Sequence, residues 1–220
     1  MSVFDILINY KEGLVAGLLV TFKLCLVIWL SGIVLGIICG YFGSKYPHHI
    51  GKPSRIVSFI LSGIPILILL FWLHYPLQSI LHVSIDPFYT AAFSLSVINI
   101  FAVADLFRGV LDDFPSQYTV AATVCGLSKK ETFFKIELPL ILRQTIPSLL
   151  SLQIIMLQLS LFASLISVEE IFRVAQRINA IIYQPVEIYT ALGILFLIIC
   201  LPLNGCAIFL KYKYTRNISE

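Results

Sequence analysis

Five long apolar segments constrain this chain more than any other feature of its sequence. Each contains about 20 or more largely apolar residues, the length that an α-helix needs to cross the hydrocarbon core of a bilayer. They cover approximately residues 14–42, 56–77, 87–107, 144–168 and 188–210. The chain is therefore expected to be an all-α membrane protein, a polytopic helical bundle of five spans.

The composition agrees with a bilayer environment and argues against a water-soluble protein. Hydrophobic residues make up 59% of the 220 residues and charged residues 12%, and the mean hydropathy is +0.95. Soluble domains carry about 25% charged residues, so this chain has too few polar residues to cover a particle in water. The net charge of +3 is small and the Lys and Arg residues are scattered, which excludes a nucleic-acid-binding surface.

The cysteines show no pattern of metal binding. The sequence has no C-x-x-C pair and no His at the spacing of a metal ligand, so neither a metal nor a cofactor is expected. The first apolar segment is too long for the hydrophobic region of a signal peptide, and it is expected to remain as the first span. The cysteines, predicted to be small apolar side chains, are Cys25, Cys39, Cys125, Cys200 and Cys206.

Lys and Arg residues are distributed unequally between the two sides of the predicted bundle. Because basic residues concentrate in cytoplasmic connections, an outer N-terminus and a cytoplasmic C-terminus are expected. The side with few basic residues has Lys11, Arg173 and Arg177. The basic residues of the predicted cytoplasmic side are Lys45, Lys52, Arg55, Arg108, Lys129, Lys130, Lys135, Arg143, Lys211, Lys213 and Arg216.

Glycines mark one face of the first span. Gly32, Gly36 and Gly40 recur every four residues, the spacing of small residues that lets two helix backbones approach closely. This face is predicted to pack against another helix. Prolines in or near the ends of three spans are expected to kink those helices, and they are Pro65, Pro147 and Pro202.

The long connection from Arg108 to Arg143 carries signals for two short helices. Pro115 is expected to open the first helix and Gly126 to cap its C-terminus. Ser128 and Glu131 have the spacing of a capping box for the second helix, which Pro139 is expected to close. Apolar residues of the two helices would form a docking surface for another protein. They are Ala121, Ala122, Cys125, Phe133, Phe134 and Ile136.

The same connection resembles the EAA loop of ABC importer permeases, the cytoplasmic element that docks into the ATPase. Val120-Ala121-Ala122, Gly126 and Ile136-x-Leu138-Pro139 match its spacing, and Val120 stands where the family usually has Glu. The resemblance implies a single transmembrane permease domain over residues 1–220, with a coupling segment at 116–139. The residues that it assigns to ATPase coupling are Ala121, Ala122, Gly126, Ser128, Glu131, Phe133, Phe134, Ile136, Leu138 and Pro139.

Further segments resemble the polar amino acid branch of these permeases. Gly17 to Thr21 is similar to the opening span of that branch, and Ala104 to Gly109 is similar to its A-E-I-x-R-G segment. Residues 172–176 and 185–189 resemble the stretch that leads into its last span. Where the branch tends to have R-G-T-P, this chain has Ser62-Gly63-Ile64-Pro65.

The resemblance implies a permease subunit of an ATP-driven importer, located in the bacterial cytoplasmic (inner) membrane, that forms the path for a polar amino acid. No G-x4-G-K-[ST] phosphate loop occurs in the chain, so ATP hydrolysis is expected on a separate subunit and the chain itself is not expected to be an enzyme. The expected partners are two ATPase subunits, a second permease subunit in a homodimer or heterodimer, and an extracytoplasmic solute-binding protein. The alternatives are a permease for methionine or another small solute and, from a different class, a membrane scaffold without transport.

Polar residues within the spans are candidates for the substrate path. On a regular helix, four polar residues of span four would lie within about 60° of arc, either lining the path or hydrogen-bonding to neighbouring helices. These four are Gln153, Ser160, Ser164 and Ser167.

Two further candidates lie in span three. Asp105 lies three residues before Arg108 and either pairs with it structurally or contributes to the path, and Asn99 lies deeper. Charged residues before span five form either a solvated face or a rim for the binding protein. These are Glu169, Glu170, Arg173, Arg177 and Glu187.

Overall fold

The computed structural model of the protein describes residues 3–215, and its regular secondary structure is helical throughout that range. The α-helices are α1 (Val3–Asn9), α2 (Lys11–Lys45), α3 (Lys52–Gly63), α4 (Ile66–His74), α5 (Pro76–Leu81), α6 (Pro87–Asp112), α7 (Ser116–Val124), α8 (Lys129–Thr132), α9 (Leu138–Leu159), α10 (Ile171–Ile182) and α11 (Pro185–Thr215). Two π-helical segments, Pro47–Gly51 and Phe133–Glu137, and a 3₁₀ helix, Ser160–Ile166, join neighbouring α-helices.

Four helical stretches of the described range are long and apolar enough to cross a bilayer. They are α2, α6, the stretch Lys129–Ile166 and residues 185–214 of α11. A fifth span results if Pro47–Gly63 and Ile66–Leu81 are taken together as one broken helix. The prediction of an all-α membrane protein is confirmed, with four or five candidate spans.

The second predicted span is broken rather than kinked. Its two halves meet at an angle of 95°, and Ile64 between them is extended, with φ −94° and ψ 120°. Pro65 explains the break, because it has no N–H to donate and its ring disfavours the α conformation of the preceding residue. Pro147 and Pro202, in contrast, lie inside α9 and α11, which continue past them.

The most extensive helix contact of the described chain joins α2 to α6 through the predicted glycine face. A Cβ at Gly36 would lie 2.6 Å from the Cβ of Val103, and a Cβ at Gly40 would lie 2.8 Å from the carbonyl oxygen of Ala104. Gly32 faces the side chain of Asn99. The prediction that these glycines form a packing face is confirmed.

Three buried apolar clusters organise the rest of the bundle, the third of which joins α2, α9 and α11 through Cys25, Leu157 and Cys200. The first joins α2, α4, α6 and the end of α9, with Leu24, Leu70 and Leu95 fully buried. The second lies where α10 crosses the ends of α1, α2 and α11, with Ile171 and Ile178 on the buried face of α10. In a bilayer such clusters stabilise the fold through close packing, since lipid chains are as apolar as the side chains.

Substitution of Gly36 by Val should destabilise the folded chain strongly. The added side chain must displace Val103 and the backbone of Ile100, and overpacking of this kind costs about 1–3 kcal/mol or more. Thermal denaturation in detergent, followed by the fraction of monodisperse protein, measures the effect.

Gly193→Val is the matched control, because a Cβ at Gly193 in α11 meets no atom within 4 Å. Equal loss of stability in the two variants would show that the α2–α6 approach does not govern folding.

Candidate functional site

The first helix of the predicted coupling segment ends in a tight glycine cap. Gly126 has φ 76°, in the left-handed region where glycine has no steric penalty. Its N–H donates to the carbonyl oxygen of Thr123 at 3.0 Å, and the N–H of Leu127 donates to that of Ala122 at 3.1 Å. This is the hydrogen-bond pattern of a Schellman cap, so the predicted role of Gly126 is confirmed.

The second helix begins with the predicted capping box. The N–H of Glu131 donates to the hydroxyl oxygen of Ser128 at 3.3 Å, and the N–H of Ser128 donates to the Glu131 carboxylate at 3.1 Å. The Ser128 hydroxyl and the ammonium group of Lys135 also donate to this carboxylate. Hydrogen bonds from Ser128 and then Lys135 lower the pKa of Glu131 to about 2, so it is an anion at neutral pH.

The prediction that Pro139 closes the second helix is wrong. The chain is helical without interruption from Lys129 to Ile166, and Pro139 lies in the first turn of α9. A π-helical segment, Phe133–Glu137, precedes it, and the N–H of Leu138 donates to the carbonyl oxygen of Phe133, five residues back. Proline is tolerated in a first helical turn, and the change of register at the π segment accommodates its missing N–H.

The apolar surface of this segment differs from the predicted one. Ala122 is 2% exposed and packs inside the helix–turn–helix, whereas Val120, Val124 and Phe134 are 61%, 82% and 57% exposed. We call these three exposed residues the coupling patch. Val120 and Val124 lie one turn apart on α7, a spacing that could have identified them from the sequence.

The remaining residues assigned to coupling occupy intermediate or peripheral positions. Ala121 and Cys125 are exposed beside the coupling patch. The Thr119 hydroxyl donates to the Glu137 carboxylate at 3.5 Å and joins α7 to the π segment. Half-buried positions are taken by Phe133, Ile136, Leu138 and Pro139.

A charged cluster lies at the same end of the bundle, where α2, α3 and α6 meet. Arg108 is 3% exposed, and its guanidinium pairs with the carboxylate of Asp105, the first of the two predicted alternatives, and donates to the Ser54 hydroxyl at 3.4 Å. The Ser58 hydroxyl donates to Asp105, whose side chain remains 38% exposed. Closer to the surface, Asp112 accepts hydrogen bonds from Ser44 at 2.7 Å and Arg55 at 2.9 Å. These bonds fasten α3 to α6.

Two candidate path residues, Asn99 and Gln153, form a buried amide pair between α6 and α9. Asn99 Nδ2 donates to Gln153 Oε1 at 2.9 Å, and Gln153 Nε2 donates to Asn99 Oδ1 at 3.3 Å. Asn99 also donates to the carbonyl oxygen of Ile28, and the indole of Trp29 donates to that of Gln153. The pair therefore joins three helices, and both side chains are almost fully buried within this chain.

The predicted polar stripe of span four does not form one helical face. The chain changes to a 3₁₀ helix at Ser160, so successive side chains turn by about 120° rather than 100°. Ser160 and Ser164 are fully buried, and the Ser164 hydroxyl has no hydrogen-bond partner among residues 3–215. Ser167 ends this helix with φ 72° and is exposed.

The charged run before span five divides into a buried carboxylate and a surface ion pair. Glu170 is fully buried at the N-terminus of α10, where it accepts hydrogen bonds at 2.9 Å from the N–H groups of Phe172 and Arg173. Burial outweighs these bonds and raises the pKa of Glu170 to about 7. Glu169 and Arg177 form an exposed ion pair at 2.9 Å. From Ile171 onward the apolar residues recur at helical spacing. This pattern could have indicated from the sequence that Glu170 caps the N-terminus of a helix.

A profile of the family described as "Binding-protein-dependent transport system inner membrane component" matches residues 32–213. The chain belongs to this family. It is therefore a multi-pass component of the inner membrane, and it acts in a transport system together with a binding protein and an ATPase.

Curated relatives of this inner membrane component are similar over most of its length. It is 23% identical to the histidine/lysine/arginine/ornithine transport system permease protein HisQ of Escherichia coli (strain K12), over 97% of this chain and 98% of HisQ. It is 27% identical to the glutamine transport system permease protein GlnP of the same organism, over 80% of this chain and 84% of GlnP.

A solved structure has the same fold as this inner membrane component. It is a crystal structure of an amino acid ABC transporter with histidines, which superposes with a TM-score of 0.83 and 18% sequence identity. The match covers 94% of this chain and 96% of the other. The helical arrangement described above is thus that of an amino acid ABC transporter chain.

Glu170→Gln should reduce the pH dependence of stability. The pKa of Glu170 rises from about 4.5 to about 7 on folding, so its stabilising contribution is complete below pH 4.5 and is lost as the pH rises through 7. Between those limits the wild-type free energy of unfolding should fall by up to about 3 kcal/mol more than that of the variant. Denaturation midpoints at about pH 5 and pH 8 measure this difference.

Glu12→Gln, an exposed carboxylate on α2, is the control and should keep the wild-type slope. Identical pH slopes in the wild type and in Glu170→Gln would contradict the assigned titration.

Proposed function

We propose that this inner membrane component forms the translocation path for a polar amino acid in an ATP-driven importer. The main support is the similarity to HisQ, a permease protein of the histidine/lysine/arginine/ornithine transport system, over nearly the whole length of both chains. Its similarity to GlnP supports the same class of substrate. The proposed assembly contains two such permease subunits, identical or homologous, two ATPase subunits and an extracytoplasmic solute-binding protein.

The proposed orientation has the N-terminus outside and the C-terminus in the cytoplasm. Its support is the concentration of Lys and Arg at the end of the bundle that also carries the helix–turn–helix of residues 116–137. Lys45, Arg55 and Lys211 belong to this end, and Arg216, which the positive-inside argument also counts, lies outside the described residues.

Residues 116–139 are proposed to be the coupling segment of a single permease domain. The coupling patch supports this function, because its three apolar side chains are exposed, and Val120 and Val124 lie on α7, outside the candidate spans, where lipid chains do not cover them. The glycine cap and the capping box hold α7 and α8 at a fixed angle, so the patch has a defined shape for the ATPase to recognise.

The continuous helix from Lys129 to Ile166 supplies a mechanism for coupling. A movement imposed on α8 by the ATPase would pass into α9 without a flexible joint, because the π segment keeps the helical hydrogen bonds. The amide pair of Gln153 with Asn99 would carry this movement to α6. Ser160 and Ser164 lie in the 3₁₀ helix at the end of this moving helix. They would therefore belong to the protein wall around the path.

The substrate path is proposed to run beside Asp105 and the broken span. Asp105 keeps a partly exposed carboxylate in a spanning helix, a position that requires an aqueous surrounding or a partner. Ser58, its hydrogen-bond donor, lies on α3 below the break at Ile64 and Pro65. The first N–H groups of α4 have no partner within the helix, and a water-filled path would satisfy them.

A charged residue in the coupling patch should release the ATPase. Val124→Asp combined with Phe134→Asp would require burial of unpaired carboxylates at the interface, which costs several kcal/mol. The ATPase should therefore be lost during co-purification, while the variant permease remains inserted and monodisperse. Immunodetection of ATPase per permease measures this loss.

Val124→Ala combined with Phe134→Leu is the matched control, since it changes the same two exposed positions without introducing a charge and should retain the ATPase. Retention of a fully active ATPase by the charged double variant would contradict the coupling assignment.

Substitution of Asp105 by Asn should lower solute uptake by the reconstituted complex at least about ten-fold if this carboxylate contacts the substrate. Uptake of labelled histidine, lysine, arginine, glutamine and methionine into proteoliposomes would also test the substrate class. Ser58→Ala provides the milder variant, because it removes one hydrogen bond to Asp105 and leaves the ion pair with Arg108 intact.

A purely structural role of Asp105 predicts a different result. The yield of folded complex would fall, while transport per assembled complex would stay at the wild-type rate.

In the uptake series, a preference for methionine over the polar amino acids would contradict the proposed substrate class.

A further inference from the structure

A groove of about 420 Å³ opens on the side of the bundle between α6, α9 and α11. Its floor is formed by Ser148 and Ser151, one turn apart on α9, and its walls by Leu106 of α6 and Ile208 of α11. Lys211, near the C-terminal end of α11, closes one end. The volume lies within the range of small-molecule sites, about 300–1,000 Å³.

The groove is polar at one end and apolar at the other. Lys211, Ser148 and Ser151 supply an ammonium group and two exposed hydroxyls, and the Ser151 hydroxyl donates to the carbonyl oxygen of Pro147 at 3.1 Å. Leu152 and Ile155 continue the groove toward the middle of the span. This order of groups follows that of a lipid, with the head group at the membrane surface and the acyl chains in the interior.

The charge of the groove is positive and not neutralised. No carboxylate lines it in the described part of the chain, and Lys211 has no ion-pair partner between residues 3 and 215. Arg143 is exposed and lies four residues before Pro147, so it is one turn nearer the membrane surface on the same face of α9. Lys211 therefore lines the surface end of the groove, and Arg143 lies one turn of α9 beyond Pro147.

We propose that this groove is a binding site for an anionic phospholipid. The phosphate would contact the ammonium group of Lys211 and the hydroxyl of Ser148, and the acyl chains would lie along Ile155 and Ile208. Basic pockets between spanning helices at the membrane surface attract anionic lipid head groups. The exposed apolar residues of α11, among them Leu201 and Phe209, continue this surface toward the bilayer.

Other occupants fit the charges of the groove less well. A polar amino acid carries an α-ammonium group that needs an acceptor, and no carboxylate lines the groove in residues 3–215. A second copy related by two-fold symmetry would bring its own Lys211 to the same interface, and two like charges repel. A phosphodiester has the single negative charge and the acceptor oxygens that the ammonium and hydroxyl groups match.

The proposal does not depend on the transported solute. The surface end of the groove is the end that the proposed orientation assigns to the cytoplasmic leaflet, but the phosphate chemistry is the same in either leaflet. Failure of the transport proposal would change uptake and leave lipid binding unaffected, so the two can be distinguished.

Lipid retention by the purified full-length chain tests the site. Native mass spectrometry would follow titration with dioleoyl phosphatidylglycerol and, separately, with the zwitterionic dioleoyl phosphatidylcholine. Lys211→Gln should weaken the affinity for phosphatidylglycerol about five-fold, and addition of Arg143→Gln should weaken it about five-fold again. Affinity for phosphatidylcholine should be low and unchanged.

Lys213→Gln is the matched control. Lys213 lies at nearly the same depth but about 200° around α11, so its charge faces away from the groove and its removal should have little effect. Ser151→Phe should abolish retention by filling the groove while leaving all charges in place. The fraction of monodisperse protein would show that this variant still folds.

Three results would overturn the proposal. Equal affinity for the two lipids would exclude recognition of a negative charge, and equal effects of Lys211→Gln and Lys213→Gln would exclude the groove. Disulfide formation between two copies of a Ser151→Cys variant in native membranes would show that the groove is a subunit interface.

Discussion

The close approach of α2 and α6 positions the other helices of the bundle. Helices in a bilayer gain little from burying apolar surface against one another, so their association relies on close packing and on hydrogen bonds. Gly36 and Gly40 supply the packing, because any side chain there would collide with α6. At Gly32 the space is filled by Asn99, whose amide bonds to the carbonyl oxygen of Ile28 and to Gln153. One helix contact thus brings α6 within reach of α9.

Two prolines have opposite effects on the continuity of the helical segments in which they lie. Pro65 lies within a spanning segment, where it ends one helix, and the next begins at 95° to it. Pro139 lies just after a π-helical segment and in a first turn, where its missing N–H is tolerated, so the helix continues into the bundle. The helix of residues 129–137 is therefore joined rigidly to α9, while the second candidate span is divided.

Features that depend on residues within one or two turns could be predicted from the sequence. The capping box of Ser128 and Glu131, the left-handed Gly126 and the pairing of Asp105 with Arg108 are of this kind. The serine stripe of span four was predicted on the assumption of a regular α-helix. That assumption failed because the chain narrows to a 3₁₀ helix at Ser160, a change that local residue preferences do not specify.

The candidate spans follow from the sequence alone, because the length of an apolar segment relative to the thickness of the bilayer identifies them without reference to other segments. The sequence also determined the local caps and the glycine face. Which polar groups are enclosed, as with Gln153 and Glu170, and which apolar ones are exposed, as with Val124, depends instead on the packing of the helices. The physical reason is that burial depends on neighbours far apart in the chain. Thr21, for example, bonds to Glu170 across 149 residues of sequence.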